Sequence, residues 1–173
     1  MPTVLFVCTA NICRSPMAAA LFARELERRL PETPARPWAV RSAGTWGREG
    51  LPASSGAAEV MAERGMDLSA HRSHSVEAAD LRAADVVLVM TRGHREALAA
   101  EFPFAADGVH LLSRMAGQNH DIADPYGGPK GGYQTCADEL QSLIQTGFDR
   151  IVGLTLRNEA TDAEHGRQGD GEH

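Results

Sequence analysis

The chain has 173 residues, of which 43% are hydrophobic and 23% are charged, and its net charge is −6. This length and composition predict one soluble globular domain. The acidic balance disfavours nucleic-acid binding, which needs clustered positive charge, and no stretch reaches the ~20 apolar residues of a membrane span. The N-terminal apolar run is too short for a secretory leader, and three cysteines make no disulfide framework, so we expect a cytoplasmic protein with reduced thiols.

The first half of the chain alternates between strand and helix patterns. Residues 3–7 are almost wholly apolar, which predicts a strand buried in a parallel sheet. Ser15 and Pro16 are typical of a helix start, and the apolar stripe that follows ends at Pro31. Residues 38–42 favour a second strand, and a glycine-containing loop separates them from a second helix over residues 57–64.

The second half continues the same alternation. Residues 86–90 and 109–112 predict strands with a helix over residues 93–101 between them, and residues 133–156 predict the last helix. Between the last strand and that helix lies a segment rich in Gly, Asp, Pro and Asn, which we interpret as a functional loop. Such alternation predicts βαβ units and a mostly parallel sheet within one domain over residues 1–156. The polar, glycine- and charge-rich residues 157–173 predict a disordered C-terminal tail.

A Cys-x5-Arg motif connects the first strand to the first helix. It begins at Cys8 and ends at Arg14. A turn of this kind directs backbone N–H groups and the positive end of a helix dipole at one point, so we expect an anion cradle with Cys8 present as a thiolate. Arg14 offers a forked contact to a phosphoryl group. The residues between them form the predicted phosphate-binding loop, namely Thr9, Ala10, Asn11, Ile12 and Cys13, with Ser15 directly beyond.

Further candidate site residues are Asn11 and Ser15, which belong to or border the loop, and two aspartates later in the chain. Asn11 tolerates the left-handed backbone that a tight turn needs. Ser15 has two open roles, because its hydroxyl is suited either to cap the helix or to donate to the Cys8 thiolate. Thiolate attack on a phosphoester also requires a general acid, for which Asp124 in the functional loop is the leading candidate and Asp121 its competitor.

The sequence resembles the low-molecular-weight protein tyrosine phosphatase family. The resemblance extends to about Leu156 and rests on matching segments that lie far apart in the chain: residues 7–16, 42–44, 70–72, 85–90 and 121–126. It implies a three-layer fold, with a four-stranded parallel sheet flanked by helices. It also implies a metal-independent enzyme with no cofactor, in which Cys8 is the nucleophile, Arg14 binds the phosphate and Asp124 is the acid. Ser42 and His71 would support the loop together with Asn11 and Ser15.

Substrate choice depends on the residues expected at the pocket entrance, Ile12, Trp46 and Tyr126. An apolar Ile12 and two aromatic rings favour phosphotyrosine over other phosphorylated residues of a protein substrate. A related branch of the family removes phosphate from arginine and tends to have threonine at the Ile12 position. Some features here are similar to that branch, including Thr91 and His94. The protein is expected to be a monomer or a weak dimer.

Two other functions fit parts of this pattern. Arsenate reduction on the same fold requires resolving thiols, and Cys136 is the single cysteine outside the loop. A phosphate-binding module without activity would be expected to lack the nucleophile or the acid. The family resemblance further implies reversible oxidation of Cys8 with Cys13. Ala10 replaces the usual glycine of the family, and its Cβ is expected to narrow the loop or restrict its dihedral angles.

Overall fold

The computed structural model describes residues 1–31 and 37–168, and four parallel strands form its central sheet. The strands are β1 (Thr3–Cys8), β2 (Ala39–Gly44), β3 (Val86–Val89) and β4 (Val109–Leu111), in the spatial order β2-β1-β3-β4. The helices are α1 (Arg14–Arg29), α2 (Ser55–Glu63), α3 (Ala78–Ala83), α4 (Arg92–Glu101), α5 (Leu112–Met115) and α6 (Lys130–Gln168), with a 3₁₀ helix over Pro103–Gly108. This architecture confirms the predicted four-stranded parallel sheet with flanking helices.

Helices cover both faces of the sheet because the strands are apolar on both sides. Along β1, Val4 and Phe6 face a core shared with α1, α2, α5 and α6, whereas Leu5 and Val7 face a smaller core beside α3 and α4. Phe22 of α1 lies at the centre of the larger core, with its ring centroid 5.7 Å from that of Phe6. The result is a three-layer arrangement with a fully buried central strand.

Three connections meet at one edge of the sheet because parallel strands end on the same side. They are the loop from β1 to α1, the segment after β2, and the start of α4 after β3. The loop that carries Asp124 joins this edge through a hydrogen bond from the Ile122 N–H to the Met90 carbonyl, at 3.0 Å. The topology thus brings four distant parts of the chain to one site.

The last helix is longer than the sequence predicted. It begins at Lys130 and continues to Gln168, whereas we expected disorder from Arg157. Contacts with the amino-terminal ends of the strands account for the additional helical residues that the structure describes. Asn158 Nδ2 donates to the Asp85 carbonyl at 2.8 Å, and the N-terminal ammonium lies 2.9 Å from a Glu159 carboxylate oxygen. The remainder of the predicted tail, residues 169–173, lies outside the described residues.

Other differences are local. Helix α1 starts at Arg14 rather than at Pro16, and Cys13 occupies its N-cap position without a side-chain cap. The short helices α3 and α5 were not predicted, because four to six residues are too few to show a helical period.

Gly44 ends β2 directly beside the Cys-x5-Arg loop, and this position tests how tightly the two are packed. A Cβ there would overlap the Thr9 carbonyl oxygen, which is backbone and is held by neighbouring bonds. We expect Gly44→Ala to lower the free energy of unfolding by about 2 kcal/mol, measured by urea denaturation. Gly132→Ala is the control, because a Cβ there meets no described atom within 4 Å apart from its own chain neighbours and the adjacent backbone of α6. An equal loss in both variants would contradict the close packing.

Candidate active site

The Cys-x5-Arg motif lies between the buried strand β1 and the N-terminus of α1. Cys8 is the last residue of β1 and Arg14 is the first residue of α1, and both side chains are buried. The start of a helix carries a partial positive charge and unpaired N–H groups, so the loop faces Cys8 with an environment that favours an anion. Ser15 Oγ lies 3.0 Å from Cys8 Sγ, so of its two predicted roles the structure has the contact with the sulfur.

Asn11 holds the loop in shape. It is fully buried, and its φ of 59° is the left-handed conformation that the sequence predicted. Its Nδ2 donates to Ser15 Oγ at 2.8 Å and to Ser42 Oγ at 2.9 Å, and its carbonyl accepts from His71 Nε2 at 2.7 Å. The residues expected to form a supporting network therefore do lie together.

Arg14 presents one edge of its guanidinium to the loop. Its Nη1 donates to the Ile122 carbonyl at 2.8 Å, while its Nη2 is 3.4 Å from Thr9 Oγ1 and 3.6 Å from an Asp124 carboxylate oxygen. Arg14 Nε is buried and has no hydrogen-bond partner in the described part of the chain. A buried donor without a partner is costly, so this edge is suited to a bound oxyanion.

The two aspartates proposed as the acid have different surroundings. Asp124 lines the pocket above Cys8, and its side chain is 49% exposed. Asp121 Oδ1 instead accepts from the Arg92 backbone N–H at 2.9 Å and lies 3.3 Å from Arg92 Nε. These bonds lower the pKa of Asp121, the backbone bond most. Asp121 thus anchors the loop to α4, and this geometry favours Asp124 as the acid.

A pocket of about 220 Å³ contains these groups. Its lining residues are Cys8, Thr9, Ala10, Ile12, Cys13, Arg14, Asp124 and Tyr126. Trp46, which we expected as a third wall, is not among them. Its backbone N–H donates to the Thr9 carbonyl at 3.0 Å, but its side chain is 83% exposed. This backbone bond fixes the main chain against the loop and leaves the indole in solvent.

Ala10 fits the loop without backbone strain. Asn11 is the non-glycine residue with positive φ among the described residues, so Ala10 does not occupy a conformation reserved for glycine. The segment opposite is close: a Cβ on Gly47 would lie 3.1 Å from Ala10 Cα.

Two histidines near the loop were not assigned a role from the sequence. The backbone N–H of His74 donates to Asn11 Oδ1 at 2.9 Å, and its ring lies between Asp80 and Glu49. Burial lowers the pKa of His74, but the bonds to these carboxylates outweigh it and raise the pKa overall. His94 is buried at the start of α4, with Nε2 2.8 Å from Thr9 Oγ1. Burial, and then the charge of Arg14, lower the pKa of His94 to about 4.

A signal for His94 was present in the sequence. A threonine directly after a strand is a typical N-cap, which puts His94 at the third position of the helix, whereas the adjacency of that strand to β1 is visible only in the tertiary structure. No comparable signal marks His74, whose contact with the loop is made by the backbone.

The three cysteines are free thiols with distinct surroundings. Burial raises the pKa of Cys13 to about 11 even though its sulfur lies 2.9 Å from Ser54 Oγ. Burial likewise raises the pKa of Cys136 to about 12. Within the described ranges, no group of three or more His, Cys, Asp or Glu side chains is placed to hold a metal ion, and no helix is long and apolar enough to cross a membrane.

Comparison with known proteins places the chain in a family. The family model of the low molecular weight phosphotyrosine protein phosphatases matches residues 3–152. A protein-arginine-phosphatase of Geobacillus stearothermophilus is 42% identical over 82% of this chain and 90% of its own length. A probable low molecular weight protein-tyrosine-phosphatase of Ralstonia nicotianae is 37% identical over 87% of this chain and 93% of its own.

A solved structure agrees as well. The crystal structure of the low molecular weight protein tyrosine phosphatase from T. tengcongensis superimposes with a TM-score of 0.79 and 39% identity, covering 87% of this chain and 99% of the other. With the matched loop, fold and relatives in agreement, the chain belongs to the low molecular weight phosphotyrosine protein phosphatase family and is a hydrolase of that class.

Proposed function

We propose that this protein hydrolyses phosphotyrosine in protein substrates through a phosphocysteine intermediate and without a metal ion. The observation that carries the proposal is the placement of Cys8 Sγ, the free edge of Arg14 and the Asp124 carboxylate around one pocket of about 220 Å³. This combination offers a nucleophile, an anion binder and a proton donor in reach of a single phosphoryl group.

The first step transfers the phosphoryl group to sulfur. Cys8 Sγ attacks phosphorus, the S–P bond forms, and the bond from phosphorus to the tyrosine oxygen breaks. Asp124 donates its proton to the departing oxygen, so that a neutral phenol leaves. The Ser15 hydroxyl supports this step: its oxygen accepts from Asn11 Nδ2, and the acceptors in reach of its hydrogen are Cys8 Sγ at 3.0 Å and the Ala43 carbonyl at 3.4 Å, of which the sulfur is the nearer and, as a thiolate, the charged one.

The second step returns the enzyme to its starting state. The Asp124 carboxylate takes a proton from water as the water oxygen attacks phosphorus, and the S–P bond breaks to release inorganic phosphate and the Cys8 thiolate. Arg14 stabilises the charge on the phosphoryl oxygens in both steps, with Nε and Nη2 forming the fork. Every proton and bond is accounted for by these residues and water, and no metal ion is required.

Ile12 supports an aromatic substrate. Its side chain and the Tyr126 ring are both part of the pocket lining, which suits a flat apolar group carrying the phosphate. A groove of about 590 Å³ shares these two walls and extends to Leu51 and Lys130. The groove provides room for the polypeptide on either side of a phosphorylated residue, which supports a protein substrate.

Phosphoarginine is the second candidate substrate. The observation in its favour is the 42% identity to the protein-arginine-phosphatase of Geobacillus stearothermophilus, together with the pair Thr91 and His94 noted in the sequence. Arsenate reduction has weaker support, because the raised pKa of Cys13 and Cys136 makes both poor resolving thiols.

Replacement of the nucleophile separates binding from chemistry. We expect Cys8→Ser to lower kcat with p-nitrophenyl phosphate by at least about 10³-fold, because a serine hydroxyl is a far weaker nucleophile than a thiolate. Inorganic phosphate should still bind, since Arg14 and the loop N–H groups remain, and calorimetry measures this. Turnover near that of the wild type would remove Cys8 from the mechanism.

The acid is identified by the leaving group. Asp124→Asn should lower kcat by about 10²-fold with phenyl phosphate and much less with p-nitrophenyl phosphate, whose leaving group needs little protonation. Asp121→Asn is the matched control and should change either rate less than about threefold, because its carboxylate is bonded to Arg92. The assignment fails if the Asp121 variant shows the larger, leaving-group-dependent loss.

Substrate choice is tested at one side chain. Threonine and valine side chains have nearly the same shape and differ mainly in polarity, so Ile12→Thr and Ile12→Val form a matched pair of variants. We expect Ile12→Thr to shift the ratio of kcat/KM for phosphotyrosine and phosphoarginine peptides by about tenfold toward phosphoarginine, and Ile12→Val to leave it nearly unchanged. A wild-type enzyme that already prefers phosphoarginine peptides would establish the second candidate instead.

A further inference from the structure

His94 is connected to the catalytic loop although it lies 80 residues beyond Arg14 in the sequence. Its side chain is 6% exposed, and both of its ring nitrogens have hydrogen-bond partners. Nδ1 accepts from the backbone N–H of Thr91 at 3.2 Å, which forms half of the capping box of α4. Nε2 contacts Thr9 Oγ1 at 2.8 Å, and Thr9 lines the catalytic pocket.

These partners determine the tautomer of the ring. Because Nδ1 accepts a hydrogen bond, it carries no proton, and a neutral imidazole must then carry its proton on Nε2. The low pKa of His94 keeps the ring neutral near pH 7. Nε2–H therefore donates to the Thr9 hydroxyl oxygen.

The Thr9 hydroxyl in turn contacts Arg14. Its oxygen accepts from His94 Nε2 at 2.8 Å and from Arg14 Nη2 at 3.4 Å. With both lone pairs of the oxygen occupied, the hydroxyl hydrogen remains as a donor. The long 3.4 Å bond leaves Nη2 loosely held on the edge that faces the phosphate position, so its orientation depends on where Thr9 is held.

We propose that His94 is a positioning residue for phosphate binding, acting through the Thr9 hydroxyl on the Arg14 guanidinium. The ring holds the Thr9 oxygen at the Arg14 fork and directs the Thr9 hydroxyl hydrogen away from both donors, where it is free to meet a phosphoryl oxygen. This inference rests on the proposed function, because it concerns the oxyanion that the reaction places in the loop.

Two substitutions separate this role from helix capping. In His94→Gln, the side-chain Nε2 occupies the place of the histidine Nε2 and keeps the donor to Thr9. In His94→Asn, the shorter Oδ1 occupies the place of Nδ1 and keeps the acceptor for Thr91, but it does not reach Thr9. We expect His94→Asn to weaken inorganic phosphate binding and to lower kcat by about tenfold each, with the unfolding midpoint near that of the wild type. We expect His94→Gln to bind phosphate within about twofold of the wild type, with a lower unfolding midpoint.

Phosphate binding is measured by calorimetry. The kinetic constants kcat and KM are measured with p-nitrophenyl phosphate as the substrate. The opposite pattern, in which His94→Asn binds and reacts normally while His94→Gln is impaired, would overturn the proposal and leave His94 as a capping residue. Thr9→Val supplies a second test. If His94 acts through Thr9, the double variant Thr9→Val/His94→Asn binds phosphate no more weakly than Thr9→Val alone, whereas multiplied losses contradict the coupling.

The proposed function and the positioning role of His94 can be disproved separately. If the wild-type protein binds phosphate but turns over no phosphorylated substrate, the proposed function is wrong, and the calorimetric comparison of the His94 variants still decides the positioning role. If the wild type is active and both variants bind phosphate as it does, the positioning role alone is wrong.

Discussion

The geometry of the whole site depends on the buried side chain of Asn11. A left-handed backbone at a non-glycine residue costs on the order of 1 kcal/mol, and burial of an amide without partners costs more. Both amide hydrogens are instead donated, to Ser15 and Ser42, and the amide oxygen accepts from the His74 backbone. Each bond contributes about 1 kcal/mol, so together they offset the strain. The same bonds orient Ser15 toward Cys8.

Charge is arranged around this loop with little help from ionised side chains. Arg14 is the buried cation beside Cys8, and the remaining positive potential is supplied by the N-terminus of α1. His94 is close to Arg14 but neutral, so it adds a hydrogen bond without adding charge. Asp124 is half exposed and 3.6 Å from Arg14, which leaves its carboxyl access to water and to a substrate. The arrangement is suited to hold a dianion and still exchange protons.

Several residues of the site could be predicted because local chemistry requires them. A cysteine and an arginine six positions apart between a strand and a helix have few other uses, and Asn11 is a residue type that tolerates the turn. Trp46 was predicted as a pocket wall from its aromatic ring, yet its exposed side chain shows that residue type does not give direction. His74 could not be predicted, because it contacts the loop through its backbone N–H, a group that does not depend on the type of side chain.

The sequence by itself determined the order of strands and helices, the Cys8–Arg14 loop and the pair of aspartates, since periodicity and motif spacing are local properties. It did not determine which aspartate faces the pocket, which role Ser15 fills, or how far the last helix extends. Those outcomes depend on contacts between different segments of the chain. The Arg92 backbone N–H donates to the Asp121 carboxylate, and Asn158 donates to the Asp85 carbonyl. The Ser15 hydroxyl contacts both Asn11 Nδ2 and Cys8 Sγ. Only the parallel sheet, which brings the ends of β1, β2 and β3 to one edge, creates the contacts around the Cys-x5-Arg loop.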